Sequence, residues 1–185
     1  NFHNIVTIFQ EISFSDQLTI EQSKKTSFDT NVDWLDRENN TCIKAINILQ
    51  KQYPDLPNFN LFLQKNIPTN AGLGGGSSNG TATLKAIDKL CDLNLQEEEM
   101  NNFSEKISAD SPFFVNGGLQ GGEEKGQKLF PIKGSLIDNY ILLVMPDIKI
   151  QTSEAFMFIK KYLVKGKTDV KLSQMLEELK LNNLS

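Results

Sequence analysis

The sequence contains very little histidine and cysteine, and both shortages restrict the chemistry that it can carry. The single histidine, His3, lies at the start of the chain, and the two cysteines, Cys42 and Cys91, lie among apolar neighbours at helical spacing. A Ser-His-Asp hydrolase is therefore unsupported, and the sequence has no Gly-x-Ser-x-Gly nucleophile elbow. Metal sites built from histidine and cysteine are excluded as well. We expect two reduced thiols rather than a disulfide.

The sequence also lacks a basic run and a long hydrophobic run. The formal net charge is −4, with 19 Lys and Arg against 23 Asp and Glu, so nothing predicts a surface that neutralises a nucleic-acid backbone. The longest apolar stretch, "YILLVMP" at 140–146, is far too short to cross a bilayer, and the first residues show no signal-peptide pattern. We expect a soluble globular protein with neither nucleic acid nor membrane as a partner.

Hydrophobic periodicity predicts a mixed α+β order of elements. Alternating runs predict strands within 5–12, 16–23 and 59–63. Apolar residues at intervals of three and four predict helices at 39–52 (with Asn39 or Asn40 as N-cap), at 81–93 and around 100–107, and later at 153–163 and 173–181. Glycine-rich turns are expected at 117–126 and a buried strand at 139–146. The polar segment 133–139 is the predicted boundary between a domain at 1–137 and a second at 138–185.

The segment "PTNAGLGGGSSNG" at 68–80 places four closely spaced glycines directly before a predicted helix that begins near Ser77. Glycines let backbone amides approach a ligand, and a helix N-terminus adds free donors and the positive end of the helix dipole. The pattern therefore predicts a phosphate site, although it fits neither a Walker A loop nor a dinucleotide fingerprint. The alternative is a flexible loop in which Ser77 only caps the helix.

A second segment, "SADSPFFV" at 108–115, holds Asp110 between a predicted helix and an extended apolar stretch that begins at Pro112. A fixed carboxylate near a bound polyphosphate could accept the proton of an attacking hydroxyl. Taken alone, however, an aspartate in this position is more typical of a turn or helix cap. The residues themselves leave both interpretations open.

Three segments together resemble the GHMP kinases. "IPTNAGLGGGSSNGTATL" is similar to their Pro-x-x-x-Gly-Leu-Gly-Gly-Gly-Ser-Ser phosphate loop, and "SADSPFFV" and the opening "NFHNIVTIFQ" occur in the matching order. The form with an additional glycine resembles the branch that acts on a small cytidine-diphosphate alcohol of the non-mevalonate isoprenoid pathway. The resemblance implies a two-domain α+β fold, ATP with Mg²⁺, and a location in bacterial cytoplasm. Other members, of the mevalonate or homoserine type, and a non-catalytic nucleotide-binding fragment remain alternatives.

The resemblance implies roles for particular residues. Asp110 would be the catalytic acid or base, and Asn40 and Lys65 would line the nucleotide pocket. The residues that would wrap the ATP phosphates are Pro68, Thr69, Asn70, Ala71, Gly72, Leu73, Gly74, Gly75, Gly76, Ser77 and Ser78. The residues that would bind the cytosine side of the substrate are Phe2, His3, Thr152 and Phe156, since aromatic rings stack on a flat base. Phe156 as a core residue and His3 as a frayed terminus remain the alternatives. No protein-held metal site is expected.

The chain also departs from the family pattern. It begins at the aromatic-histidine pair, so the family's lysine-bearing strand before that pair is not in the sequence, and no second glycine-rich segment follows Phe156. We therefore expect a GHMP-type chain that is incomplete at both ends. Glu124 and Gln127 stand where the family usually has Gly and Glu, so the expected turn at that position departs from the family pattern.

Overall fold

The computed structural model describes residues 6–69, 71–124, 126, 128–132, 140–145 and 177. The strands are β1 (Thr7–Gln10), β2 (Gln17–Ser23), β3 (Ser27–Thr30), β4 (Asn58–Gln64), β5 (Leu119–Glu123) and β6 (Lys128–Pro131). The helices are α1 (Thr41–Gln52), α2 (Gly75–Leu90), α3 (Glu97–Ile107) and α4 (Phe113–Asn116). The predicted α+β class is confirmed. Among the described residues, no helix is long and apolar enough to cross a membrane.

The strands form two three-stranded sheets. The first has the order β1-β5-β6 with antiparallel neighbours, and the second has the order β2-β4-β3, in which β4 is antiparallel to β2 and parallel to β3. In β4, Phe59, Leu61 and Leu63 are buried and alternate with exposed residues, as the sequence pattern predicts. Each of these side chains stabilises the fold by about 1.5–3 kcal/mol through burial.

Helix α1 begins where its predicted cap lies. The Asn40 side chain accepts hydrogen bonds from the backbone amides of Cys42 (2.9 Å) and Ile43 (3.1 Å). The helix buries the predicted face, which packs with α2, α3 and β4 in one core. Both cysteines are free, as expected, and burial raises the pKa of the Cys42 thiol to about 11.

One expectation from the sequence was wrong, one was incomplete, and one open question about a turn is answered. The stretch after Pro112 is the short helix α4 rather than an extended segment, because the φ of −57° that proline favours also suits a helix start. The region 117–126 contains strand β5 in addition to turns. Glu124 adopts a φ of +60°, so the turn forms with glutamate in a conformation that favours glycine.

The expected buried strand at 139–146 is not observed in its described part. Residues 140–145 form no strand, and the side chains of Tyr140, Leu142 and Val144 are exposed. A buried strand needs neighbouring strands that take its backbone hydrogen bonds, and in the described ranges no strand pairs with this stretch. The predicted helices at 153–163 and 173–181 and the predicted domain boundary at 133–139 lie outside the described residues, apart from Glu177, which is helical.

Candidate functional site

The glycine-rich loop feeds directly into the N-terminus of α2. The helix begins at Gly75, two residues before the predicted start, and its N-cap is Gly74 in a left-handed conformation with a φ of +64°. A Cβ at Gly74 would lie 2.9 Å from Cζ of Phe114, so the position also excludes side chains by space. In the described part of the chain, no side chain caps α2. Ser77 lies inside the first turn, which contradicts the alternative interpretation that it only caps the helix, and the first amides of α2 stay available to a ligand.

A cavity of about 430 Å³, here called the Lys65 cavity, lies against this helix N-terminus. It brings together most of the residues that the sequence predicts for nucleotide binding, namely Asn40, Lys65, Pro68, Thr69, Ala71, Gly72, Leu73, Gly74, Gly75, Gly76 and Ser77. Ser78 lies on a different cavity, and Asn70 is outside the described residues. The loop, the helix N-terminus and a lysine therefore converge on one space.

Asn40 contributes to the Lys65 cavity mainly through structure. Its Oδ1 is occupied by the two capped amides of α1, and its Nδ2 donates to the backbone oxygen of Asp36 at 2.9 Å. The residue is 8% exposed. Its side chain therefore fixes the start of α1 beside the cavity, and its polar atoms are already bonded within the fold.

Lys65 is held by Asp16, a residue that the sequence analysis did not identify. The Lys65 ammonium forms an ion pair with Oδ2 of Asp16, and the two side chains are only 5% and 2% exposed. Asp16 also accepts hydrogen bonds from the amides of Asn66 (2.7 Å) and Ile67 (2.8 Å) and from Nδ2 of Asn79 (2.9 Å). The carboxylate thus joins the segment before β2, the end of β4 and helix α2.

The surroundings of Asp16 favour its ionised form. Burial by itself raises the pKa of the carboxyl. The hydrogen bonds from Lys65, Ile67, Asn66 and Asn79 together lower it by more than burial raises it, so the pKa lies below the ordinary value of 3.8. Asp16 and Lys65 are far apart in sequence and Asp16 belongs to no local motif, so only the fold reveals the pair. The Lys65 ammonium lies 3.1 Å from the position of a Cβ on Gly75, which places the cation at the start of α2.

A second cavity of about 540 Å³, here called the Asp110 cavity, lies on the other side of the loop. Gly72, Leu73 and Gly74 line both cavities and form the wall between them. Ser78 and Asp110 both line the Asp110 cavity. Its aromatic residues are Phe9, Phe14, Phe113 and Phe114.

Asp110 is exposed to the solvent of this cavity. Among the described residues, its carboxylate makes no hydrogen bond or ion pair, and in particular no backbone amide donates to it. The turn-capping alternative is therefore not supported by the geometry. The carboxylate is free to meet a ligand that enters the cavity.

All four sequence-predicted substrate residues, Phe2, His3, Thr152 and Phe156, lie outside the described residues. Their roles stay predictions. The same holds for Gln127 at the expected turn.

Comparisons of the sequence with known proteins find similarity to kinases, in a range that includes the glycine-rich loop. Residues 40–118 match the family model for the GHMP kinases N terminal domain. A 4-diphosphocytidyl-2-C-methyl-D-erythritol kinase of Prochlorococcus marinus (strain MIT 9312) is 34% identical over 192 aligned residues, which cover 100% of this chain and 62% of the relative. The kinase of the same name from Parabacteroides distasonis is 36% identical over 160 residues, which cover 85% of this chain and 59% of the relative.

Solved structures lead to the same fold. A crystal structure of 4-(cytidine 5'-diphospho)-2C-methyl-D-erythritol kinase has a TM-score of 0.61 at 25% identity, covering 70% of this chain and 46% of that chain. The mevalonate kinase of Methanococcus jannaschii has a TM-score of 0.55 at 16% identity, covering 74% of this chain and 57% of that chain, and shows a shared fold only. The chain spans 62% and 59% of the lengths of the two curated relatives. Over residues 40–118, this chain is similar to the N-terminal domain of the GHMP kinases.

Proposed function

We propose that this chain belongs to an ATP-dependent kinase that phosphorylates a hydroxyl of 4-diphosphocytidyl-2-C-methyl-D-erythritol. The observation that carries the proposal is the shared wall of Gly72, Leu73 and Gly74 between the two cavities. The N-terminus of α2, which we propose binds phosphate, lines one cavity, and the Asp110 carboxylate, which has no partner among the described residues, lines the other. The names of the curated relatives support the choice of substrate.

The Lys65 cavity fits the triphosphate of ATP. The uncapped amides at the start of α2 supply hydrogen-bond donors together with the positive end of the helix dipole. Lys65 carries three N–H donors, and among the described acceptors Asp16 takes one of them. The ion pair leaves the lysine held in place with donors remaining for a phosphate oxygen.

We propose that Mg²⁺ enters with the nucleotide, bound to its phosphates. The described residues include no group of three or more His, Cys, Asp or Glu side chains that could hold a metal ion. When bound, the ion would neutralise charge on the transferred phosphoryl group. The protein's own contribution is to hold the phosphates through the loop and α2.

In this proposal, Asp110 accepts the proton of the acceptor alcohol. The oxygen of the substrate hydroxyl attacks the γ-phosphorus of ATP, ADP leaves, and the hydroxyl proton passes to the Asp110 carboxylate. The aromatic lining of the Asp110 cavity, with ring centroids of Phe9 and Phe113 at 5.4 Å and of Phe113 and Phe114 at 5.0 Å, offers apolar surface to the carbon skeleton of the substrate. In this proposal Phe2, His3, Thr152 and Phe156 hold the cytosine.

A direct binding experiment tests the first step. Titration of the 185-residue chain with MgATP by calorimetry should show one site, and 4-diphosphocytidyl-2-C-methyl-D-erythritol should bind at a second, non-competing site. A GHMP kinase of the mevalonate or homoserine type would instead bind its own alcohol and would not bind the cytidine compound.

We assign the protein to bacterial cytoplasm, in keeping with the bacterial relatives.

A further inference from the structure

Three serine hydroxyls connect the first turn of α2 with the segment that carries Asp110. Oγ of Ser108 lies 2.8 Å from Oγ of Ser77 and 2.7 Å from Oγ of Ser111. Ser111 is fully buried, and its backbone oxygen also accepts a hydrogen bond of 3.0 Å from Thr81 in α2. The contact therefore has two anchor points, one on each side of Asp110.

The number of protons limits how these hydroxyls can be ordered, since each hydroxyl supplies a single donor. In one order, Ser111 donates to Ser108 and Ser108 donates to Ser77, which leaves the Ser77 proton for another acceptor. In the opposite order, Ser77 donates to Ser108, Ser108 donates to Ser111, and Ser111 donates to the backbone oxygen of Ser77 at 3.4 Å. That last distance is longer than an ordinary O–H···O bond, so the opposite order gains little from it.

Ser77 is the member of this chain that lines the Lys65 cavity. An anion in that cavity favours the order in which the Ser77 proton points to the ligand, because a charged acceptor forms the stronger hydrogen bond. The order in turn requires Ser108 to donate to Ser77. A phosphate group and the Ser108 hydroxyl are thereby coupled through one shared oxygen.

We propose that Ser108 is a positioning residue that directs the Ser77 hydroxyl to the ATP phosphates and ties the Asp110 segment to the phosphate loop. The inference rests on the proposed function, because it requires a phosphate at the start of α2. It adds a residue to that site which touches neither substrate. Ser108 acts through Ser77 on one side and through the backbone of Asp110 on the other.

The test compares Ser108→Thr, which keeps the hydroxyl, with Ser108→Val, which has the same shape without it. The backbone at Ser108 is extended, with φ −162° and ψ 165°, and accepts β-branched residues. We expect the Thr variant to bind MgATP like the parent and the Val variant to bind it about 5- to 10-fold more weakly, the loss of roughly one ordered hydrogen bond. The affinity for adenosine, which has no phosphate, should be the same in all three proteins.

A second variant keeps the inference testable if Ser108→Val folds poorly. Ser77→Ala should weaken MgATP binding by a similar factor, and adding Ser108→Ala to it should cause almost no further loss, because both changes interrupt the same chain of hydroxyls. Independent, multiplying losses would overturn the inference, as would a Val variant that binds MgATP like the parent. An equal loss of adenosine binding would assign Ser108 a purely structural role. A parent protein that does not bind MgATP would overturn the proposed function itself.

Discussion

The Lys65 ammonium and the Asp16 carboxylate form a buried ion pair beside the first residue of α2. The pair places the Lys65 ammonium at the end of the phosphate loop, and the Asp16 carboxylate compensates the positive charge of that ammonium within the fold. Removing one member of a buried pair leaves the other charge without compensation, which typically costs several kcal/mol. The arrangement therefore couples the stability of the domain to the geometry of the Lys65 cavity.

Asp16→Asn should destabilise the protein by about 3–5 kcal/mol, because Lys65 then stays buried without its counter-charge. Urea unfolding measures the change. A matched control is Glu123→Gln, which interrupts the exposed pair with Lys128 and should change the unfolding free energy by less than about 1 kcal/mol. Equal effects of the two substitutions would show that the buried pair has no special role.

The same pair predicts how stability depends on pH. The pKa of Asp16 is lower in the folded protein than its ordinary value of 3.8. Its contribution to stability is therefore fully present above that value and is lost as the pH falls toward the lower folded pKa. Between neutral pH and pH 3 the parent should lose more unfolding free energy than Asp16→Asn. Parallel curves for the two proteins would contradict the assignment.

Gly76→Ala should separate ligand binding from folding. Among the described residues, a Cβ at Gly76 meets only the Thr41 side chain, at 3.9 Å, and Gly76 lines the Lys65 cavity. Alanine is favoured over glycine in a helix by up to about 1 kcal/mol, so the melting temperature should stay the same or rise. MgATP binding should weaken about tenfold because the methyl group occupies space beside the phosphate-binding amides.

Gly74→Ala is the contrasting substitution for that experiment. Its positive φ and the 2.9 Å approach to Phe114 should lower the melting temperature whatever the ligand does. If Gly76→Ala binds MgATP like the parent, the start of α2 is not the phosphate site.

Part of this architecture follows from local sequence signals. Helix α1, its Asn40 cap and its buried face were predictable because capping and periodicity act over a few residues. Strand β5 was missed because Gly121 and Gly122 carry no strand signal. A Cβ at these glycines would lie 2.3 Å from the Phe130 ring and 2.5 Å from the Phe9 ring, respectively, so the strand depends on rings from β6 and β1.

The candidate site shows the same division. The phosphate loop was predictable because glycines and a helix start are adjacent in sequence. The ion pair between Asp16 and Lys65 and the serine chain from Ser77 to Ser108 and Ser111 join segments 30 or more positions apart. Such contacts exist only once the chain has folded, and no local sequence pattern predicts them.

Phe156→Ala tests the predicted cytosine contact. Loss of one stacked ring should weaken binding of the cytidine substrate by about 1–3 kcal/mol and leave MgATP binding unchanged. Calorimetric titrations with both ligands provide the measurement, and Phe158→Ala serves as a neighbouring control. A loss of both affinities, or of the fold, would support the core interpretation of Phe156.

Asp110→Asn should reduce turnover by about 10²–10⁴ without weakening MgATP binding, because the amide keeps the shape of the carboxylate but cannot accept the proton. Turnover is measured on a hybrid protein in which this chain replaces the matching part of the Prochlorococcus relative. Asp92→Asn is the control, because it makes the same chemical change just after the C-terminus of α2, away from the phosphate loop. The positive φ of Asp92 suits asparagine. Turnover of Asp110→Asn within a few-fold of the parent would remove the proposed proton acceptor.

The proposed activity itself is tested most directly by phosphoryl transfer from ATP in this hybrid protein, with Asp110 intact. Three alcohols are compared under identical conditions: 4-diphosphocytidyl-2-C-methyl-D-erythritol, mevalonate and homoserine. We predict stoichiometric ADP and a phosphorylated product from the cytidine compound, with kcat/KM at least about 100-fold above that for the other two alcohols. No product from the cytidine compound, or equal transfer to mevalonate or homoserine, would contradict the proposed function.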